Sequence, residues 1–324
     1  MPSTITHQYF AKDVYEKLNE NTRKKIDPSI LNITTQGPDP FNFYTFYSFG
    51  INKKVTKLGQ MMHRNHTKKY IITMAKYIKE KNLVDNSEIM SYFYGTILHM
   101  ILDSVIHPFV FYKTGNFNYK NKKSYKYNGY HKDLETFFDC YLIYTRESIL
   151  PHQKKIYKNL DVNFKTADFI EFINYILKEV YHFDNGFKYY QKSIKAYYFN
   201  SLIVRYDPWK IKIKLFKISD LLFGKLYTKL FGYTYSNNFK DKQHYLNIEK
   251  NEWNHPVSQY EYYNTSLLEL YILAMHKAIK LINDVDIYFN TNKDLRYLNK
   301  KIEDISYITG KLLSDSQVMK YFEY

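Results

Sequence analysis

Three candidate metal ligands, His99, Asp103 and His107, follow one another at four-residue steps in the apolar stretch GTILHMILDSVIHP. A step of four residues advances only ~40° around an α-helix, so the three side chains lie along one stripe. His99 and His107 are separated by ~12 Å of helix rise, whereas each lies ~6 Å from Asp103. The spacing suits two metal ions with the aspartate between them. The alternative is a polar stripe whose histidines are satisfied by hydrogen bonds.

A second candidate pair, His131 and Glu135, lies four residues apart in GYHKDLETFF. On a helix the two side chains can converge on one ion, and Zn²⁺ accepts both imidazole nitrogen and carboxylate oxygen. Such pairs also occur on solvent-exposed helix faces. The pair gains weight only together with the stripe that precedes it.

Further candidates lie upstream in short polar contexts: His7 in TITHQYF, Asp39 in QGPDPFNFY and His63 in LGQMMHRNH. Asp39 stands between two prolines, a position that also suits a turn or a helix cap. His66 follows His63 closely, and spacing alone does not decide which of the two is a ligand. The aromatic residues after Asp39 suit either a substrate pocket or the core; they are Phe41, Phe43, Tyr44, Phe46 and Tyr47.

The elements that position these residues are predicted to be helices. Glycine and proline are sparse, at 10 and 8 in 324 residues, and apolar residues recur at three- and four-residue intervals. We therefore predict an all-α fold in one domain over residues 1–324, with the metal-site core in about residues 1–150. The predicted helices are Gln8 to Asn19, His66 to Lys81, Ser87 to Phe111, Lys132 to Ser148, Ala167 to Tyr181, Lys188 to Val204 and Ser266 to Asp284. Loops are predicted at residues 36–42, 113–130 and 251–258.

Composition limits the class of protein. A content of 45% hydrophobic residues argues against disorder, and a single cysteine, Cys140, excludes an internal disulfide framework. We find no signal-peptide pattern and no apolar run near the ~20 residues needed to span a bilayer, so we expect a soluble, cytoplasmic protein. The net charge of +15 fits phosphate-bearing partners, although an evenly basic surface also serves solubility.

Residues 207–233 form a basic amphipathic segment, DPWKIKIKLFKISDLLFGKLYTKLFGY. One interpretation is peripheral contact with an anionic membrane through its lysines. The other is a helix packed on the domain, with lysines that reach into water. The lysines concerned are Lys210, Lys212, Lys214, Lys217 and Lys225.

The candidate ligands, taken in order, resemble the zinc-dependent phospholipase C family, all-α enzymes with a trinuclear zinc site. The ordered set is His7, Asp39, His63, His99, Asp103, His107, His131 and Glu135. A looser resemblance, to a C-terminal segment of bacterial members, covers WNHPVSQYEYYNTSLLELYILAMHKA. The resemblance makes His63, not His66, the ligand. It implies two or three zinc ions, held by Asp39, His63, His99 and Asp103, by His107, His131 and Glu135, and by His7 and Asp103.

The resemblance implies hydrolysis of a phosphodiester by metal-activated water, with a phospholipid or related phosphoester as substrate. Asp39 is either a pure ligand or, through its second oxygen, the catalytic base that orients or deprotonates the water. Two other functions stay open. One is a trinuclear zinc nuclease for single-stranded nucleic acid, for which the basic surface would be the guide. The other is a non-catalytic helical protein that binds zinc.

Overall fold

The computed structural model describes residues 4–44, 53–118, 120–155, 164, 166–204, 207, 209, 211–223, 232, 234–235 and 237–323. The α-helices are α1 (Thr4–Lys17), α2 (Glu20–Lys24), α3 (Pro28–Thr34), α4 (Asp39–Asn42), α5 (Lys53–Met62), α6 (Thr67–Glu80), α7 (Ser87–Thr114), α8 (Tyr125–Glu147), α9 (Ala167–Tyr181), α10 (Gly186–Val204), α11 (Ile211–Phe223), α12 (Leu267–Asn290) and α13 (Leu295–Asn299). Short 3₁₀ helices span Lys122–Ser124, Pro151–Gln153 and Asn237–Leu246. Two short strands, β1 (Trp253–Asn254) and β2 (Tyr262–Tyr263), pair antiparallel. The predicted all-α class is confirmed.

Each predicted helix is present; α9 has the predicted ends, Ala167 and Tyr181, and the others differ at one or both ends. Helix α8 begins at Tyr125, and α7 continues to Thr114, so the connection predicted over residues 113–130 is much shorter. The proline-rich turn at residues 36–42 contains the single turn α4. Helix α3 was not predicted, although its start is marked by Asp27, whose side chain accepts from the amides of Ser29 and Ile30.

Helix α7 is the central element of the fold. Asn86 caps its N-terminus by accepting from the amide of Ile89, and Gly115, at φ 78°, follows its last turn. The helix is long and apolar enough to cross a membrane by length and composition, so the expectation that no run approaches this length was wrong. The apolar stretch is wholly buried inside the protein, as in the core helix of a globular fold.

The helices around α7 approach it closely. Gly95 of α7 permits the contact with α3, because a Cβ there would lie 2.5 Å from Oγ1 of Thr34. On another side α12 runs antiparallel to α7: Tyr94 donates to Asp286 at 2.5 Å, and the rings of Phe93 and Phe289 lie 5.7 Å apart. Buried side chains from α1 to residue 307 form one connected hydrophobic core, which includes Cys140. The single domain over residues 1–324 stays a prediction.

The aromatic residues after Asp39 and the basic segment at residues 207–233 differ in solvent exposure. Phe41 and Tyr44 are buried and Phe43 is half-buried, which favours the core interpretation, whereas Phe46 and Tyr47 lie outside the described residues. In the basic segment, none of the described side chains of α11 is buried. Its exposed apolar residues are Ile211, Leu215, Ile218, Leu221 and Leu222. Lys212, Lys214 and Lys217 lie on the same helix, and Lys210 and Lys225 lie outside the described residues.

Candidate metal centre

The structure brings all eight candidate ligands into one buried site. Helix α1 carries His7, α4 begins with Asp39, His63 follows α5, α7 carries His99, Asp103 and His107, and α8 carries His131 and Glu135. The most exposed of them is His131, at 8%. Three groups have donor atoms close enough to share an ion: His7 with His99 and Asp103, Asp39 with His63 and His99, and His107 with His131 and Glu135. We call the second group the Asp39 end and the third the Glu135 end.

Asp103 lies between the groups. Its Oδ1 is 3.3 Å from Nε2 of His7, and its Oδ2 is 3.2 Å from Nε2 of His99 and 3.8 Å from Nε2 of His63. The same Oδ2 is 3.7 Å from Nδ1 of His107. Burial by itself raises the pKa of Asp103, but attraction to His99 and His107 outweighs it and holds the pKa well below its ordinary value. The side chain is therefore ionised and faces several imidazoles, as the helical spacing predicts.

The Asp39 end joins three elements. Nε2 of His63 lies 3.1 Å from Oδ1 of Asp39 and 3.4 Å from Nε2 of His99, and the last nitrogen is 4.0 Å from Asp39. His66 is exposed instead, at the N-cap of α6 with φ 58°, and its ring faces Tyr181. The structure thus places His63 beside Asp39 and His66 away from the cluster.

The Glu135 end is formed by α7 and α8. Oε1 of Glu135 lies 2.9 Å from Nε2 of His131 and 3.8 Å from Nε2 of His107, while Oε2 accepts from Lys132 at 2.6 Å. Burial lowers the pKa of His131 to about 3 and lowers that of His107. Burial opposes ionisation of Glu135, but the charge of Lys132 beside it holds its pKa well below the ordinary value. Neutral imidazoles beside an ionised carboxylate are the protonation states that metal binding requires.

Backbone carbonyls orient three of the histidines. Nδ1 of His63 donates to the carbonyl of Gly59 at 2.7 Å, and Nδ1 of His99 donates to that of Thr35 at 3.2 Å. Nδ1 of His107 donates to the carbonyl of Tyr307 at 2.6 Å. Each bond places the proton on Nδ1 and leaves the Nε2 lone pair for the centre, as outer hydrogen bonds do in metal sites.

The turn around Tyr307 reaches the site from far along the chain. The amide of Tyr307 donates to the carbonyl of His63 at 2.9 Å, and its ring packs at an angle against those of His63 and His99. Gly310, at φ +65°, lies against the carbonyl of Ser104, where a Cβ would overlap. The sequence did not predict this turn, because the group that accepts from His107 is a backbone carbonyl, which every residue type has.

Asp139 anchors the helix that carries His7. Its carboxylate accepts from the amide of Ile5 at 3.1 Å, from the amide and hydroxyl of Thr6 at 2.7 Å each, and from the hydroxyl of Tyr235. Helix α1 is thereby capped by a residue of α8, one turn beyond Glu135. Asp139 lies four residues after Glu135, so helical spacing places it on the same face, but it was not among the predicted site residues.

The donor set fits zinc. Within the described part of the chain, the buried ligand atoms without a hydrogen-bond partner include Nδ1 and Nε2 of His7, Oδ1 and Oδ2 of Asp103, and Nε2 of His107. A buried carboxylate without partners is strongly destabilising unless a cation compensates it. Imidazole nitrogens and carboxylate oxygens are ligands that Zn²⁺ accepts, so a bound ion would satisfy these atoms.

Comparison with known proteins agrees with this chemistry. The family model for zinc dependent phospholipase C matches residues 6–183, a range that contains all eight candidate ligands. Neither the curated proteins nor the solved structures gave a match. The matched range is more than half of the chain, and the elements described within it are all helices. On this match, and with a buried His and Asp cluster that fits zinc, the chain belongs to the zinc-dependent phospholipase C family.

Proposed function

We propose that this protein is a zinc-dependent phosphodiester hydrolase of the phospholipase C type, with two or three zinc ions per chain. The observation that carries the proposal is Asp103, whose two oxygens face histidines of neighbouring donor groups. Asp103 would help to hold the ions of more than one donor group, and ions held this close would supply charge stabilisation to one phosphoryl group. The family match supports the same reaction class.

The chain's own residues hold and orient the reacting groups. Bound zinc supplies Lewis-acid polarisation of a phosphoryl oxygen and a water molecule of lowered pKa. His63, His99 and His107 present their Nε2 lone pairs to the centre because backbone carbonyls fix their Nδ1 protons. Because these donor atoms lie close together, the main contribution of the protein to catalysis is to position the reacting groups.

Asp39 is our candidate for the catalytic base. Its Oδ1 faces His63, and the side chain is buried. In the proposed step the water oxygen forms a bond to phosphorus, and the phosphorus–oxygen bond to the leaving alcohol breaks. The proton of the water passes to the Asp39 carboxylate and then to the leaving oxygen. If Asp39 is only a metal ligand, the attacking water is not deprotonated by Asp39.

The test is metal content together with turnover. Zinc is counted in the purified protein, and hydrolysis of a chromogenic phosphodiester is followed before chelation, after chelation and after zinc is returned. We expect two or three zinc ions and turnover that disappears and returns with them. Zinc that is bound without any turnover on phosphodiesters would leave a non-catalytic zinc protein, and faster turnover on single-stranded DNA than on phospholipid would assign the site to a nuclease.

We also propose peripheral contact with an anionic membrane through α11, where the phospholipid would be found. Support comes from its exposed apolar residues, among which Leu221 is 87% exposed, and from the exposed Lys214 and Lys217 on the same helix. We expect co-flotation with phosphatidylglycerol vesicles to be lost in Leu221→Asp. Tyr260→Asp, at a side chain 81% exposed in a different region, is the matched control and should still float. Equal flotation of the two variants would contradict this contact.

A further inference from the structure

A cavity of about 550 Å³ lies on the side of α7 opposite to the metal centre. Its floor includes Ile101, Ser104 and Val105, which point ~100° or more away from both His99 and Asp103. The other walls come from α12, the strands β1 and β2, and residues 300–311. The volume is within the range of sites for small ligands.

One end of the cavity is apolar. Trp253 is 2% exposed, with its ring centroid 5.3 Å from that of Phe109 and its Nε1 bound to the carbonyl of Thr265. Leu270 and Leu273 of α12 line the same end, where α12 begins. This end has the composition that accommodates a hydrocarbon chain.

The other end is cationic. Lys277, Lys280 and Lys300 line it, and among the described residues none of the three forms an ion pair. Lys301 also lines this end and pairs with Asp284 at 3.1 Å, whereas Lys311 lines the cavity beside the β1–β2 hairpin, where it pairs with Glu261 at 2.5 Å. Glu303 is the remaining acidic residue of the lining. The charge of the lining is therefore positive after its two ion pairs are formed.

We propose that this cavity is a second ligand site, which binds an amphiphile with an acyl chain and a phosphate or carboxylate head. Leu273 and Lys280 are seven residues apart on α12, so the apolar and cationic ends are separated by ~10 Å. That separation selects a ligand whose negative charge and hydrocarbon chain occupy different ends, not a free inorganic anion. The unpaired lysines supply charge complementarity for the head. This site goes beyond the proposed hydrolysis and does not depend on zinc.

Binding is tested with dodecyl phosphate below its critical micelle concentration, by titration calorimetry. Fluorescence is recorded in Trp209→Phe, which leaves Trp253 as the only tryptophan, since the chain has two. We expect one ligand per chain, a change in Trp253 emission, and affinity at least about tenfold weaker in Lys280→Ala/Lys300→Ala. Lys155→Ala/Lys195→Ala, which removes two exposed lysines elsewhere on the surface, is the matched control and should bind as the parent does.

The comparison ligands separate the possible sources of binding. Inorganic phosphate that binds as tightly as dodecyl phosphate would mean that the cavity does not recognise the hydrocarbon chain of the ligand, and would overturn the proposal. Dodecyl maltoside that binds as tightly would mean that the lysines do not select the head, with the same consequence. Unchanged affinity in Lys280→Ala/Lys300→Ala would place the ligand elsewhere. Because none of these readouts uses turnover, they are independent of the outcome for hydrolysis.

Discussion

The Asp39 end and the Glu135 end of the metal centre differ in the origin of the carbonyls that orient their histidines, although Tyr307 contacts both ends. At the Asp39 end, the carbonyl that orients His63 comes from Gly59, four residues before it, and the carbonyl that orients His99 comes from Thr35, 64 residues before it. At the Glu135 end, the carbonyl that orients His107 comes from Tyr307, which is 200 residues away. The first support lies within the family match at residues 6–183, and the second lies outside it. The C-terminal part of this chain thus completes a site whose ligands are all in the N-terminal part.

Loss of the residue between the two ends should have the largest effect. Asp103→Ala removes the carboxylate that faces His7, His63, His99 and His107, so we expect loss of more than one zinc ion and of measurable hydrolysis. Zinc per chain is measured by mass spectrometry of the metal. Asp103→Asn keeps the volume and tests the charge alone. Full metal content in both variants would show that the two ends do not share this residue.

A histidine pair tests the Asp39 end alone. We expect His63→Ala to lower kcat/KM by at least about 100-fold, because it removes a nitrogen that lies 3.1 Å from Asp39. His66→Ala is the matched control, since His66 is exposed and lies only three residues further along the chain. Its activity should be within about twofold of the parent. The opposite ranking would exchange the roles of the two histidines.

Much of the fold and most of the candidate ligands could be predicted from the sequence. Long helices such as α7 show their periodicity over many turns, whereas α2 and α4, with 5 and 4 residues, are too short to show one. Candidates on one helix were found by spacing, as with His99 and Asp103. The orienting carbonyls were not found, because every residue has one and only tertiary packing selects Tyr307 for this contact.

Two glycines allow the supports of the two ends to be disturbed from different sides. A Cβ on Gly37, at φ +51°, would lie 2.5 Å from the ring of His99, whereas a Cβ on Gly310 would push the Tyr307 turn away from α7. We expect Gly37→Ala to weaken zinc at the Asp39 end alone, by about 10–100-fold. We expect Gly310→Ala to weaken zinc by a similar factor at the Glu135 end and, because Tyr307 also contacts His63, at the Asp39 end as well. Competition with a chromophoric chelator resolves the tight and the weakened ions. If Gly37→Ala weakens the ion at the Glu135 end as much as Gly310→Ala does, the two supports are not separate.

The smallest expected effect concerns the anchor of His7, which belongs to neither end. Thr6→Val keeps the shape of the side chain but removes the hydroxyl that donates to Asp139, so the free energy of unfolding should fall by about 1–2 kcal/mol. Thr145→Val is the control: its hydroxyl bonds only to carbonyls of its own helix near the surface, and its cost should be within about 0.5 kcal/mol. Both are measured by urea unfolding. Because Asp139 still accepts from two amides of α1, Thr6→Val should keep the zinc at both ends, and loss of zinc from either would show that α1 supports more than His7.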